Sequence, residues 1–356
     1  MQWNDFPEVR SPAGRSLADL LEPGPRRQPL PGFEPVYRDF VDYILRCTHR
    51  IWEEKNVGLC RTHYSEDCQI HTMAGPVVGR EAVTQNTITT LSATPDRRLI
   101  GEDVIWSADD DGQLYSSHRI MSRSTHQGDD GLLGAATMRG AGVMTIADCA
   151  CAENRIVEEW LVRDNLRAVW QVGQDPWAVA HRQAEADATG DQSRHAWRAD
   201  AIARTRSEAD VAIPEGHPAH GPAAMMAAAF RDGLFGQAAE ALSPAVELRW
   251  PSGRNGYGRG FWVGCMTQLL GALHEVTWRL EHIAARPLRG DDIAVALRWS
   301  LAGNHKGGGV WGEPSGRDIH ILAVSHYRIR AGSIVEDATV FDELAVLRQI
   351  AGGLGA

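Results

Sequence analysis

The chain has 356 residues, a length that corresponds to about two ordinary domains. Its content of 43% hydrophobic and 23% charged residues is close to the average for a globular protein and excludes a chain that is disordered throughout or collagen-like. No window approaches the roughly 20 apolar residues of a membrane-spanning helix, so we expect no membrane partner. The net charge of −10, without a long basic run, also argues against a nucleic-acid partner.

Residues 1–36 are rich in proline, glycine and arginine, and we expect them to form an extended N-terminal arm rather than a helix or strand. The segment has no apolar stretch after a basic start, so it predicts no secretory signal. We therefore expect a cytoplasmic protein whose six cysteines are reduced thiols.

An internal repeat follows the arm. Residues 156–171 match residues 334–349 at seven of sixteen positions without a gap. Further upstream, the segment 119–126 aligns with 298–305, each beginning with arginine and ending with histidine. The repeat predicts that the chain is a tandem of two copies of one domain.

The two predicted domains span 37–174 and 216–356, and a helical linker at 175–215 joins them. Each copy begins with a helical stretch and a short strand, continues through a Gly-Arg turn into a second helix, and ends with three long strands and a short helix. Strands that follow helices without a regular βαβ alternation favour an α+β fold with an antiparallel sheet. The linker is rich in alanine and charged residues, which predicts one or two helices.

Several motifs recur in the same order in both copies. The second copy carries Leu-Arg-Trp-Ser-Leu-Ala-Gly-Asn-His-Lys-Gly at 297–307, Gly-Glu-Pro-Ser-Gly-Arg at 312–317 and Ile-Val-Glu-Asp at 334–337. The first copy carries Tyr-Ser-Glu-Asp-Cys-Gln-Ile-His at 64–71 and Gly-Arg-Glu-Ala-Val at 79–83. These motifs resemble those of the SnoaL-like polyketide cyclases, within the nuclear-transport-factor-2-like superfamily.

The resemblance implies two tandem cone-shaped α+β barrels, in each of which a strongly curved antiparallel sheet packs on helices and encloses a pocket. In the cyclases an aspartate in that pocket acts as acid and base in an intramolecular aldol ring closure, without metal or cofactor. By the resemblance, that aspartate falls on Asp164 and Asp342. Single-domain relatives pair through the open face of the sheet, so we expect an intramolecular pseudo-dimer, which could assemble further into a homo-oligomer.

The two aspartates each end a strand. Alternation along the strand places Asp164 on one face with Ile156, Glu158 and Trp160. A carboxyl group that faces an apolar pocket is partly desolvated, which raises its pKa toward the range used in proton transfer. The alternative is that Asp164 and Asp342 are N-caps of the short helices that follow them.

His126 and His305 end the strand before the loop in their copies, and they are the other candidate catalytic residues. A histidine near an aspartate could polarise a substrate carbonyl or relay a proton. The alternative is a histidine that bonds to the backbone of the adjacent loop.

Six further side chains are candidates for substrate binding: His71, His118, Trp160, Arg119, Arg298 and Trp299. The arginines could bind a substrate carboxylate, or form structural ion pairs with Glu158 or Glu336. The tryptophans could line pockets or fill cores. His71 and His118, with His126 and Asp164, could instead hold a metal ion, but their spacing is not compact and the resemblance implies no metal.

The favoured hypothesis is a cofactor-independent acid/base enzyme, a cyclase, isomerase, dehydratase or related lyase, that acts on a small carbonyl compound. One of the aspartates would move a proton alpha to the carbonyl, while a histidine or arginine stabilises the enolate oxygen. Two alternatives stay open. One is a non-catalytic small-molecule binding protein, because each copy departs from the family pattern; the other is a metal-dependent hydrolase that uses the histidines of the first copy.

Overall fold

The computed structural model describes residues 22, 24–108, 112–189, 193–288 and 290–352. Most of the predicted arm therefore lies outside the described residues. Its last part, 24–36, contains no helix or strand and packs on the first domain through Leu30 and Phe33, which are buried.

The first domain consists of a six-stranded sheet with helices packed on it. Helix α1 begins after Asp39, whose carboxylate accepts the backbone N–H of Asp42 at 2.8 Å, and it buries an apolar face against the sheet. The elements are, in chain order, α1 (Phe40–Trp52), α2 (Cys60–His63), β1 (Tyr64–His71), β2 (Val77–Val78), α3 (Arg80–Ala93), β3 (Arg98–Ala108), β4 (Leu114–Thr125), β5 (Gly140–Ala152), β6 (Arg155–Arg163) and α4 (Asn165–Gln171).

The second domain has the same elements in the same order, with two linker helices before it. These are α5 (Pro176–Thr189) and α6 (Ser193–Ser207) in the linker, then α7 (His220–Phe230), α8 (Phe235–Ala238), β7 (Leu242–Trp250), β8 (Arg254–Tyr257), α9 (Arg259–Gly271), β9 (His274–Pro287), β10 (Ile293–Asn304), β11 (Asp318–Arg330), β12 (Ser333–Phe341) and α10 (Glu343–Gly352).

The two sheets share one strand order, β2-β1-β6-β5-β4-β3 in the first domain and β8-β7-β12-β11-β10-β9 in the second. The predicted α+β class with two tandem domains is confirmed. Each sheet is mixed rather than wholly antiparallel, since β1 runs parallel to β6 and β7 runs parallel to β12. A parallel pair needs a long crossover connection, which a helix and four strands provide in each domain.

The strand limits identify equivalent residues in the two domains. β4 begins at residue 114 and β10 at 293, an offset of 179. β5 and β11 begin at 140 and 318, an offset of 178, and β6 and β12 keep that offset. Every lining position of one domain can therefore be compared with its counterpart in the other.

One face of each sheet packs against the other sheet. The apolar part of this interface is formed by Ile105, Tyr115, Ala150, Ala284, Ala294 and Ala296. Charged pairs cross it as well, because Arg286 donates to Asp103 at 2.6 Å and Arg249 donates to Glu102 at 2.8 Å. Small side chains allow the sheets to approach, and the ion pairs compensate charges that the contact between the sheets removes from water.

A glycine with positive φ precedes the second helix of each domain. Gly79 has φ 86° and ψ 145°, and Gly258 has φ 87° and ψ 159°. A Cβ atom at either position would lie 3.2 Å from a backbone carbonyl oxygen, that of Glu66 or that of Pro244. Only glycine adopts this conformation readily, so both copies need it at the turn.

We predict that Gly79→Ala and Gly258→Ala each destabilise the protein by about 1–3 kcal/mol, because alanine is strained at these φ and ψ values. The control is Gly264→Ala inside α9, where a Cβ atom would meet no atom within 4 Å. That change should be neutral or stabilise by about 0.5–1 kcal/mol, as expected for alanine in a helix. Urea unfolding measures both effects, and equal stability of the three variants would contradict the prediction.

Candidate functional site

A β-bulge in the last strand of each sheet determines which side chains face the interior of the domain. The register between β5 and β6 slips at Val157, which is an extra residue in β6. Because the slip shifts the alternation by one residue, Ile156 shares a face with Glu159 rather than with Glu158. β12 has the same bulge at Val335. The grouping of Ile156 with Glu158 that strict alternation predicts is therefore wrong.

The interior of the first domain contains a cavity of about 180 Å³. It lies beside a wider open cleft of about 1180 Å³ between α1 and strands β3 to β5. The side chains that line both spaces are Thr48, Arg97, Leu99 and His118. The cleft therefore gives a ligand a route from solvent to the interior.

The carboxyl group of Glu159 lies on the wall of the cavity. It is 7% exposed and accepts a hydrogen bond from the hydroxyl of Tyr64 at 3.2 Å. Burial raises the pKa of Glu159 to about 7, against the opposing effects of the nearby Arg163 guanidinium and of the Tyr64 hydroxyl. A carboxyl group with this pKa can both accept and donate a proton near neutral pH.

Four other polar side chains of the lining carry a buried atom that has no hydrogen-bond partner among the described residues. These atoms are Nε of Arg97, Nε2 of His118, Oγ1 of Thr145 and Nε of Arg163. Burial lowers the pKa of His118 to about 4, so its imidazole is neutral at pH 7. Buried polar atoms normally have partners, so this set indicates a cavity that is suited to a polar ligand or to water.

The interior of the second domain is filled by aromatic side chains. Five positions that line the first cavity have an aromatic counterpart there, and each of these counterparts is at most 2% exposed. The lining residues and their counterparts are Thr72 and Trp250, Val83 and Trp262, Ile120 and Trp299, Cys149 and Tyr327, and Arg163 and Phe341. The same fold thus encloses a cavity in one copy and a packed core in the other.

The counterpart of Glu159 is Asp337, which is buried in that packed core. Its carboxylate accepts the indole N–H groups of Trp250 and Trp262, both at 3.1 Å, and the hydroxyl of Thr339 at 2.7 Å. Burial raises the pKa of Asp337 to about 6. Both of its oxygens bond to side chains of its own domain, so this carboxyl group is part of the core.

Asp164 and Asp342 lie between the two domains and are not among the lining residues of the cavity. Asp164 caps α4 and also accepts the backbone N–H of Ser252, in the second domain, at 2.9 Å. Asp342 accepts a backbone N–H in the first turn of α10 at 3.2 Å, and the amide of Asn165, in the first domain, at 2.6 Å. Burial raises the pKa of each aspartate to about 6. Both make the N-cap contact that the sequence left open as the alternative.

His126 and His305 hold the loops that follow their strands. The ring nitrogens of His126 lie 3.1 Å from the hydroxyl of Thr137 and 3.1 Å from the carbonyl oxygen of Gly134. Nδ1 of His305 lies 3.0 Å from the hydroxyl of Ser315. Both histidines are buried, and their contacts are those of a structural role in the loop.

Arg119 and Arg298 form ion pairs across the interface between the sheets. Arg119 contacts Glu336 of the second domain at 2.8 Å. Arg298 lies 3.7 Å from Asp148 of the first domain and donates to the hydroxyl of Tyr115 at 2.6 Å. The structure therefore gives these arginines carboxylate partners within the protein.

The remaining candidates occupy different parts of the molecule. The guanidinium of Arg298 lies 3.4 Å above the ring of Trp160, at the interface. His71 stacks on Trp160 at 5.2 Å and bonds to Glu158 at 2.7 Å, while Trp299 belongs to the packed core of the second domain. The structure does not bring His71, His118 and His126 together. Among the described residues, no group of three or more histidine, cysteine or acidic side chains could hold a metal ion.

His118 is the predicted site residue that lines the cavity. The sequence reasoning missed Tyr64, Arg97, Glu159 and Arg163. A signal for the glutamate was present in the repeat itself, because an acidic residue follows Ile-Val-Glu in both copies, at positions 159 and 337. The bulge that turns this residue inward could not be read from the alternation of the strand.

Part of the chain is similar to a known protein family. Residues 222–350 match the family model of the SnoaL-like polyketide cyclases. Similar solved structures include IdmH, a candidate polyketide cyclase from Streptomyces antibioticus, which is 21% identical over 37% of this chain and 96% of that chain, with a TM-score of 0.32. Another is a candidate SnoaL-like polyketide cyclase from Jannaschia sp. CCS1, 18% identical over 40% and 99% of the two chains, with a TM-score of 0.32.

AclR, a candidate hydroxylase from Streptomyces galilaeus, is 20% identical over 42% of this chain and 96% of that chain, with a TM-score of 0.31. Each of these matches has about the length of one domain. No curated protein matches the chain. In the part of the chain that the structure describes, no helix is long and apolar enough to cross a membrane.

We predict that Glu159→Gln changes the pH dependence of stability. Burial raises the pKa of Glu159 from about 4.5 to about 7, so ionisation of this carboxyl group costs more in the folded state than in the unfolded state. The free energy of unfolding of the wild type relative to the variant is therefore highest below pH 4.5 and falls as the pH rises to 7. The decline should be on the order of 3 kcal/mol. Denaturant unfolding at pH 4.5 and pH 8 measures it, with Glu158→Gln as the control. A difference between wild type and Glu159→Gln that stays constant with pH would contradict the prediction.

Proposed function

We propose that this protein is an enzyme that acts by general acid/base catalysis on a small carbonyl compound, because residues 222–350 match the family model of the SnoaL-like polyketide cyclases. We place its active site in the first domain, in the cavity that contains Glu159. The proposed steps are proton transfers and bond formation at carbon, and they need no metal or cofactor.

The observation that carries this proposal is the contrast between the two interiors. The first domain combines a cavity, a carboxyl group with a pKa of about 7 and polar atoms that have no hydrogen-bond partner among the described residues. In the second domain, Tyr64, His118 and Thr145 are replaced at the equivalent positions by Leu242, Leu297 and Ala323, which are fully buried. The fold therefore forms without these polar groups, which favours a chemical role for them in the first domain.

The proposed mechanism begins with Glu159 as the general base. Its carboxylate takes a proton from the carbon alpha to the substrate carbonyl, and the electron pair of the C–H bond moves onto the carbonyl oxygen. The guanidinium of Arg163 and the neutral imidazole of His118 are available to donate to the enolate oxygen that forms. Glu159 then returns the proton to another carbon in an isomerisation, or to the new alkoxide after the enolate carbon attacks a second carbonyl.

The environment of Glu159 suits this cycle. The hydroxyl of Tyr64 holds one carboxylate oxygen at 3.2 Å and leaves the other free to reach the substrate. A base whose pKa lies near the working pH is present in both protonation states, so it can accept the proton and give it back. The low exposure of the carboxyl group also limits competition from bulk water.

We predict that the protein catalyses exchange of solvent deuterium at the carbon alpha to a carbonyl, measured by NMR over a panel of ketones, 1,3-dicarbonyl compounds and 2-oxo acids. Glu159→Gln should lower the exchange rate by roughly 100-fold or more, the usual contribution of a general base. The matched control is Glu158→Gln, because that side chain lies outside the cavity and bonds to His71.

Asp164→Asn and Asp342→Asn distinguish this assignment from the one that the family resemblance implies. Both variants should keep the exchange activity at temperatures where they remain folded. Loss of exchange in either variant, with full activity in Glu159→Gln, would show that the base is an aspartate at the domain interface. Binding of panel compounds without exchange by the wild type would favour a non-catalytic binding protein.

A further inference from the structure

Two arginines supply positive charge to the interior of the first domain. Arg97 and Arg163 both line the cavity, and the Nε atom of each is buried without a hydrogen-bond partner among the described residues. The guanidinium of Arg97 lies 5.4 Å from the centre of the Trp52 ring, which holds it beside the cavity. The two positive charges repel each other, and this repulsion contributes to lowering the pKa of Arg97 to about 10, after burial as the main cause.

The fold does not need these two arginines. The equivalent positions of the second domain carry Val276, which is partly buried and packs against the apolar core of that domain, and Phe341, which lies within that core. Two like charges that approach each other in a partly buried site weaken the folded state. The arginines occur in the domain that contains a cavity, whereas apolar residues replace them in the domain whose interior is filled. This contrast indicates that the arginines interact with what binds in the cavity.

The cleft that leads to the cavity is also positively charged. Arg98 and Arg123 face each other directly across strands β3 and β4 and both line the cleft. Like charges at directly opposed positions of a sheet destabilise it. Lys55, one of two lysines in the chain, lines the same cleft and donates to the carbonyl oxygens of Trp52 and Arg97 rather than to a carboxylate.

The nearby carboxylates bond to other groups. In the cleft, Asp96 accepts the backbone N–H and the hydroxyl of Thr125, and Glu53 accepts the backbone N–H of Leu99. Asp130, which lies near both arginines of the cavity, accepts two backbone N–H groups of its own loop. Glu159 is therefore the one acidic residue of the described cavity lining, against two arginines.

We propose that the substrate of this site carries a carboxylate, which passes the cationic cleft and binds to Arg97 and Arg163 while its carbonyl group lies beside Glu159. A guanidinium presents several N–H donors in one plane and binds a carboxylate more strongly than a neutral group. The inference depends on the proposed location of the site, although not on the catalytic role of Glu159. It defines the substrate class as small oxo acids rather than neutral esters or ketones.

The test is calorimetric titration of the full chain with phenylpyruvate and with its methyl ester, which differ in the charge of one group. We expect the acid to bind at least tenfold more tightly than the ester. Arg97→Met should weaken binding of the acid by tenfold or more and leave binding of the ester unchanged. Arg163→Met should also weaken binding of the acid by tenfold or more, and it should weaken binding of the acid more than binding of the ester. The matched control is Arg155→Gln, on the exposed start of the strand that contains Arg163, which should have no effect. If Arg163→Met does not fold, Arg163→Lys takes its place, with a smaller loss of acid binding expected.

Glu159→Gln separates this inference from the proposed chemistry. That variant should bind phenylpyruvate at least as tightly as the wild type, because it removes the negative charge of the lining, while it loses exchange activity. Tighter binding of the acid together with undiminished exchange in Glu159→Gln would support the carboxylate site and contradict the proposed base. Any of three results would overturn the inference. They are equal binding of acid and ester, no binding of either compound, and binding of the acid that both arginine substitutions leave unchanged.

Discussion

The bulge in the last strand of each sheet is the constraint on which the rest of the site depends. One extra residue, Val157 or Val335, turns the following acidic residue, Glu159 or Asp337, toward the interior of its domain. A carboxyl group that is buried in this way must be neutral, be paired with a hydrogen-bond or ion-pair partner, or take part in binding or catalysis, because an isolated buried charge is costly. The two domains meet this requirement in different ways, and that difference is the reason for placing the proposed site in the first domain.

In the second domain, the carboxylate of Asp337 is bonded by two indole groups and a hydroxyl, and bulky aromatic side chains occupy the space around it. In the first domain, smaller or polar residues at the equivalent positions leave a cavity. The family model matches the second domain, whose interior is filled, whereas the cavity lies in the domain that it does not match.

The sequence predicted the larger features well, because hydrophobic periodicity and an offset repeat report directly on elements and their order. It predicted the tandem α+β domains, and it named His118, which lines the cavity, as a candidate for substrate binding. It did not predict Glu159, because strict alternation places that residue on the opposite face, and a bulge leaves no mark in a single sequence. The hydrogen bond of Asp164 with the backbone of Ser252 joins residues far apart in the chain, which local patterns do not report.

We propose that the first domain contains the active site and that the second domain is its packed counterpart. A crystal structure of the protein soaked with phenylpyruvate tests this most directly, because it shows where a carbonyl compound binds without requiring a known reaction. We expect ligand density in the first domain, within hydrogen-bond distance of Glu159, and an unchanged aromatic core in the second domain. Ligand density against Asp337, or between the domains beside Asp164 and Asp342, would contradict it.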